Sequence, residues 1–155
     1  MSEKKVINFY STREEYGCFS NFSAHPIRLK NKKWRTTEHY FQAQKFPDTE
    51  YEEQIRLVAS PMVAARMGRS RKVPIRKDWE KVKDNIMLEA LRAKFTQHKD
   101  LREILLGTDD AMLVEHTKND SYWGDGGDGS GKNMLGKLLM QLREELKNES
   151  QELNT

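Results

Sequence analysis

W-R-T-T-E-H-Y-F-Q-A-Q-K-F occupies residues 34–46, and its reading decides the fold. The spacing predicts a helix. Thr36 or Thr37 can cap it by accepting a backbone N–H bond. Glu38 then lies in the first turn, where the helix dipole favours an anion, and Pro47 stops the helix. At about 100° per residue, Glu38, Gln42 and Lys45 share one face. Phe41 borders that stripe on one side, His39 and Phe46 border it on the other, and Tyr40 and Ala43 face away. Aromatic residues thus lie on nearly every side of a narrow polar stripe. Two readings stay open: the floor of a polar pocket, or a solvated Glu–Lys stripe on a surface helix.

Working outward, helical patterns dominate the chain after Pro47. Residues 50–58 read as a helix with Ile55 and Leu57 or Val58 as core candidates. Ser60-Pro61 is a start signal, with Ser as cap and Pro in the first turn, for a helix that ends at Gly68. Asp78 opens the longest helix, to about residue 97, with Trp79 in its first turn and Val82, Ile86, Ala90 and Ala93 on its buried face. A short helix over 99–106 ends at Gly107. Residues 133–147 form the last helix, with Leu135, Leu138, Leu139, Leu142 and Leu146 on one face. Strands are few: 6–10, 112–115, and a small hairpin from 26–30 and 33–35. The expectation is a mainly α (α+β) fold, compact and single-domain over residues 1–147. Residues 1–5 should be loose and the acidic tail at 148–155 disordered.

Composition bounds the function. The 155 residues suit one domain with a core of its own. There is no long apolar run and no signal-peptide pattern, so a cytoplasmic protein without a membrane partner is expected. The single cysteine, Cys18, rules out an internal disulfide, and no neighbouring sequence suggests that it is activated as a nucleophile. The four histidines show no metal-ligand spacing, so no metal is expected. Net charge is +3 but uneven: R-M-G-R-S-R-K-V-P-I-R-K at 66–77 carries six cations and no acid. Such a segment favours an anionic partner, such as the phosphates of a nucleotide or of nucleic acid, unless it is simply a solvated loop.

Residues 126–133, G-G-D-G-S-G-K-N, match the phosphate-loop spacing G-x-x-x-x-G-K and open a helix. Against that, Asn133 stands where Ser or Thr should bind Mg²⁺, and Asp125 and Asp128 bring negative charge to where phosphates would sit. The calcium-loop spacing is absent. What remains is a flexible backbone able to approach a ligand near a helix N-terminus. Just before it lie Asn119, Asp120, Tyr122, Trp123 and Gly124. A Trp can stack on a base or sugar, and an acid can bond a ribose or activate water. Equally, Trp123 can plug the core beneath the loop.

Several pieces, taken in order, resemble the YbiA-like family, also called the NADAR family. They are Y-G-C-F-S-N-F at 16–22, the 34–46 stretch, A-R-M-G-R at 65–69, R-K-D-W at 76–79 and A-K-F at 93–95. L-V-E-H-T-K-N-D-S-Y-W-G at 113–124 and G-K-N-M-L-G-K-L-L-M at 131–140 complete the set. The resemblance runs from Asn8 to about Leu146. It implies a compact, mainly α domain that cleaves N-glycosidic bonds of ribosylated compounds. Members of that family are described as hydrolysing the ribosylamino-pyrimidine phosphates of riboflavin biosynthesis, or as removing ADP-ribose from guanine bases. The family's acid in T-x-E-H-Y maps to Glu38, its tryptophan after R-x-D to Trp79, and its acid ahead of W-G to Asp120. Lys45 matches the lysine of the same helix motif, to which the resemblance assigns a Schiff base with the opened sugar. Asn21, Phe22, Arg66, Arg69, Trp123 and Gly124 complete the expected substrate-binding set.

The bottom-up chemistry is compatible with that set. Breaking a C1–N bond builds positive charge on the sugar, which a carboxylate stabilises. An amine among aromatics is partly desolvated and more nucleophilic at neutral pH. Arg66 and Arg69, three apart on a helix, can clamp a phosphate. The expected partner is a small phosphorylated riboside or ADP-ribosylated nucleic acid, with no cofactor. The competing class is a non-catalytic ADP-ribose or nucleotide-binding module. A third is a nucleic-acid-binding protein using the 66–77 patch, which would show a steep salt dependence. The oligomeric state is left open.

Overall fold

The computed structural model describes residues 4–153; three of the residues expected to be loose, and positions 154 and 155 of the tail, lie outside that range. In chain order the elements are β1 (Val6–Phe9), a 3-10 turn (Gly17–Phe19), β2 (Ile27–Leu29), β3 (Lys32–Trp34), α1 (Thr37–Ala43), α2 (Glu50–Leu57) and α3 (Pro61–Arg69). They continue with α4 (Trp79–Gln97), α5 (Lys99–Gly107), β4 (Met112–Glu115) and α6 (Met134–Leu153). The fold is mainly α with a few short strands, as expected. The chain divides into two compact units, one formed by Asn21–Gln97 and the other by the segments on either side of it.

In the unit Asn21–Gln97, β2 and β3 make an antiparallel hairpin in which Ile27 pairs with Trp34. Its two-residue turn is Lys30-Asn31, at φ 56° and 61°. Positive φ at both positions is the turn geometry that matches the twist of a tight hairpin. The hairpin takes up Trp34, within the strand expected over 33–35, so the helix of the 34–46 stretch starts at its expected cap. Trp34 is held in β3 and Thr36 is extended, so α1 begins at Thr37. Thr36 is the cap, its hydroxyl accepting from His39 N at 3.1 Å. After Ala43 the chain tightens, with Lys45 N donating to Gln42 O and Phe46 N to Ala43 O.

Trp34, Tyr40, Ala43, Phe46, Ile55, Ala64, Ala90 and Ala93 join Ile27 in one apolar core. The small residues let α1 sit close to α3 and α4. Thr49 and Ser60 cap α2 and α3. Two details differ from the sequence expectation. Leu57 is exposed, because α2 turns only Ile55 of its core candidates fully inward. On α4 the buried set is Trp79, Met87, Ala90, Leu91, Ala93, Lys94 and Phe95, whereas Val82 and Ile86 are half-buried. A helix covered on more than one side buries more than a single stripe.

In the other unit, β1 and β4 pair in parallel, Ile7 opposite Leu113 and Phe9 opposite Glu115. The α6 leucines at 135, 138, 139, 142 and 146 are all buried, as the pattern predicts. The tail expected to be disordered from 148 is helical as far as Leu153, because α6 runs on through it.

Trp34 is fully buried and its indole N–H donates to Leu29 O at 2.9 Å. Trp34→Ala is therefore expected to cost about 3–5 kcal/mol, read as a fall in the urea midpoint at unchanged m-value.

Candidate active site

All seven residues of α1 are buried, and so is the stripe read from the sequence. Glu38 is 9% exposed, Gln42 6% and Lys45 7%. The solvated-stripe alternative is therefore excluded. Every polar group on this helix must then find its partner inside the protein.

The partners are specific. The Asn21 carbonyl accepts from Glu38 N at 3.2 Å, and its side-chain oxygen accepts from the Thr37 hydroxyl at 2.8 Å. Its amide nitrogen points at Met87 Sδ, 3.4 Å away. Asn21, expected to contact the ligand, is thus committed to holding the first turn of α1, and with it Glu38. Gln42 Nε2 donates to Glu38 Oε1 at 2.7 Å. Gln42 Oε1 is buried without a hydrogen-bond partner, a defect that ordinarily costs about 1–3 kcal/mol.

Lys45 Nζ donates to the Gly68 carbonyl at 3.3 Å. It lies 5.9 Å from the centre of the Phe41 ring and 5.7 Å from that of Trp79, and those two rings meet edge-on at 5.0 Å. Desolvation pushes the Lys45 amine down to about 8, with Arg71 and Arg69 pushing the same way and Glu38 and Glu80 opposing. Arg71 shares the Gly68 carbonyl, donating to it at 2.9 Å. Gly68 carries this geometry: a Cβ there would fall 1.9 Å from Gln42 Oε1. Arg66, Arg69 and Arg71 are exposed.

Glu38, Lys45 and Trp79 of the expected set are therefore assembled within Asn21–Gln97, beside the cationic segment that starts at Arg66. Phe22, in the same unit, is 38% exposed. Asp120, Trp123 and Gly124 belong to the other unit, where each has a structural task. Asp120 Oδ1 accepts from Tyr122 N at 2.9 Å and Trp123 N at 2.8 Å, closing the turn. Trp123 is half-buried and meets Tyr122 edge-on. A Cβ on Gly124 would meet Thr117 Cγ2 at 2.6 Å and the carbonyls of Asp120 and Glu115 at 2.9 Å, so packing alone requires glycine there.

The glycine-rich loop is not an anion cradle. Gly126 N donates to Asp120 O, Gly129 N and Gly131 N to Asp125 O, Lys132 N to Ser121 O and Asn133 N to Gly124 O. Gly127 N is bound by the Asp125 carboxylate and Ser130 N by that of Asp128. A phosphate needs such amides free and convergent, and here the loop's own oxygens have them. His116 beside Asp125 holds that carboxyl below the usual range, helped by the Gly127 and Thr117 amides. Among the described residues no group of three or more His, Cys, Asp or Glu side chains could hold a metal ion, and no helix is long and apolar enough to cross a membrane.

Sequence reasoning put Gln42 on the polar stripe but not in the site set, and did not single out Gly68 or Arg71. For Gln42 the signal was present: it stands four residues after Glu38 on the same face.

The NADAR domain model matches residues 8–147. The chain belongs to the NADAR family. Among NADAR relatives, N-glycosidase YbiA of Escherichia coli (strain K12) is 65% identical over 141 residues, which is 91% of this chain and 88% of that protein. The riboflavin biosynthesis protein PYRR of Zea mays, chloroplastic, is 40% identical over 159 residues, 93% of this chain but 26% of that protein. The NMR structure of E. coli YbiA superposes with a TM-score of 0.90 at 62% identity, covering 98% of this chain and 90% of that one.

A buried amine depressed from 10.5 to about 8 lowers stability by about 3 kcal/mol wherever both folded and unfolded states are protonated. Between pH 8 and 10.5 the unfolded chain holds the extra proton, so this penalty is relieved as pH rises. Lys45→Met is expected to be more stable than wild type at pH 7, with the difference shrinking by pH 10, in urea titrations at the two pH values.

Proposed function

We propose that this NADAR enzyme hydrolyses the bond between ribose C1 and nitrogen in a phosphorylated riboside, with Glu38 and Lys45 as its catalytic residues. The relatives' names support N-glycosyl hydrolysis, and that of the maize protein favours a compound of riboflavin biosynthesis. One observation carries the residue assignment: a buried amine near pKa 8, held between Phe41 and Trp79 in the field of the buried carboxylate Glu38.

The chemistry follows from those groups. In an N-riboside the ring oxygen takes up a proton as the C1–O bond opens, leaving C1 bound to nitrogen as an iminium. Glu38 stabilises the positive charge on C1. The neutral Lys45 amine adds to C1, and the nitrogen of the base departs with a proton. Water then hydrolyses the Lys45 imine to the free sugar aldehyde and regenerates the amine. Trp79 and Phe41 keep water from the amine and so keep its proton affinity low. Arg66 and Arg69, on one face of α3, supply the phosphate contacts, and exposed Phe22 offers a ring for the base. Since the amine must be neutral, turnover rises as pH increases through about 8.

The exposed arginines at 66, 69 and 71 also suit a longer anion, so the test offers two substrates. Purified protein is given a ribosylamino-pyrimidine phosphate and, separately, an ADP-ribosyl-guanine oligonucleotide, and products are read by mass spectrometry. The expected outcome is release of ribose 5-phosphate or ADP-ribose, abolished in Glu38→Gln and reduced at least about 100-fold in Lys45→Ala. Borohydride added during turnover should fix the sugar to Lys45. Turnover that survives Lys45→Ala removes the Schiff base but leaves the hydrolase. Asp120→Asn keeps an oxygen for the turn, so a loss of turnover there assigns that acid a chemical task. Binding without release from either substrate favours a nucleotide-binding module.

A further inference from the structure

We infer that Gln42 is the positioning residue for Glu38: its amide fixes which Glu38 oxygen is held and keeps that carboxylate an acceptor, and Gly68 keeps the amide in place. The inference rests on the catalytic role proposed for Glu38. It starts from the buried Gln42 oxygen that has no hydrogen-bond partner. A glutamine that orphans its oxygen is expected to turn over unless its nitrogen is held more strongly. Here the nitrogen donates to Glu38 Oε1 at 2.7 Å. Turned over, the amide would set its oxygen against a carboxylate oxygen and its NH₂ against the Cα of Gly68. Two acceptors at that distance repel, so the observed orientation and an unprotonated Glu38 Oε1 select each other.

Gly68 closes the device. The space a side chain would need at 68 is filled by Gln42: a Cβ would lie 1.9 Å from Oε1, 2.6 Å from Cδ and 2.9 Å from Cβ. The Gly68 carbonyl meanwhile holds Lys45 and Arg71. One glycine thus registers both the acid and the amine, its Cα through Gln42 and its oxygen directly. A hydrogen bond donated to a carboxylate favours the charged form and keeps its proton affinity down. The charged groups that act on Lys45, the neighbour of this acid, are Arg69 at the end of α3, Arg71 just after it and Glu80 in the first turn of α4. Of the other elements against α1, α2 turns its buried Glu52 to Gln44 and Lys30, and β3 presents Trp34.

The test reads Glu38 directly, by carbon-detected NMR titration of its carboxyl in the full chain, together with kcat, KM and the pH profile. In Gln42→Met the donor is lost. The Glu38 titration should move up by about one pH unit, with kcat down about tenfold or more and KM little changed, while the limb near 8, which belongs to Lys45, stays in place. Gln42→Glu keeps the size and places two carboxyls together, so its shift should be larger. Gly68→Ala pushes the amide oxygen and should shift the titration in the same direction. If Gln42→Met does not fold, the other two variants decide. An unmoved Glu38 titration in the folded variants overturns the inference while leaving the hydrolase intact. Wild-type turnover by Glu38→Gln instead overturns the catalytic role of Glu38, and with it the purpose assigned to Gln42.

Discussion

The unit that carries the candidate site depends on one constraint: a two-turn helix buried on every side in a protein with many polar residues. Nothing on α1 can be left to water, so each polar group has to be matched by a neighbour. His39 shows how completely this is done. It lies between the Thr36 hydroxyl at 2.8 Å and the Val58 carbonyl at 2.9 Å. A carbonyl only accepts, so Nε2 carries the proton and the threonine hydroxyl serves Nδ1. Burial drives the ring towards the neutral form. Gln44 reaches Glu52 and Lys30, which in turn form a pair, and Tyr40 donates to Glu89 while burial drives its own proton affinity up.

Against that background, the residues proposed for function are those whose matching is incomplete. Lys45 has one long hydrogen bond and two aromatic neighbours where an ammonium needs three acceptors. Gln42 has a donor satisfied and an acceptor unsatisfied. Among the described residues Gln42 Oε1 is the buried side-chain atom left without a hydrogen-bond partner, and it sits with Lys45 beside a carboxylate. Such an arrangement suits the proposed catalytic amine and acid, at a cost in stability.

The glycine-rich loop shows how spacing can mislead. Its residues follow a phosphate-binding pattern, yet the carboxylates of Asp125 and Asp128 accept from amides that a phosphate would use. The acids that weakened the phosphate-loop reading on charge grounds are the groups that fold the loop.

Much of this protein was legible in the chain itself. Periodicity placed the helices, the leucine face of α6 and the stripe of Glu38, Gln42 and Lys45, because these depend on spacing along one backbone. Motif order identified the family and its N-glycosidic chemistry. Tertiary structure decided what spacing cannot carry: that the stripe is buried rather than solvated, and that Asn21 serves the backbone of α1. It also decided that Gly68, distant in sequence from Glu38 and Lys45, meets both through Gln42 and its own carbonyl. The physical reason is desolvation. Whether an amine is an ordinary cation or a nucleophile near neutrality depends on what surrounds it in space, and those neighbours are contributed by segments that only the folded chain brings together.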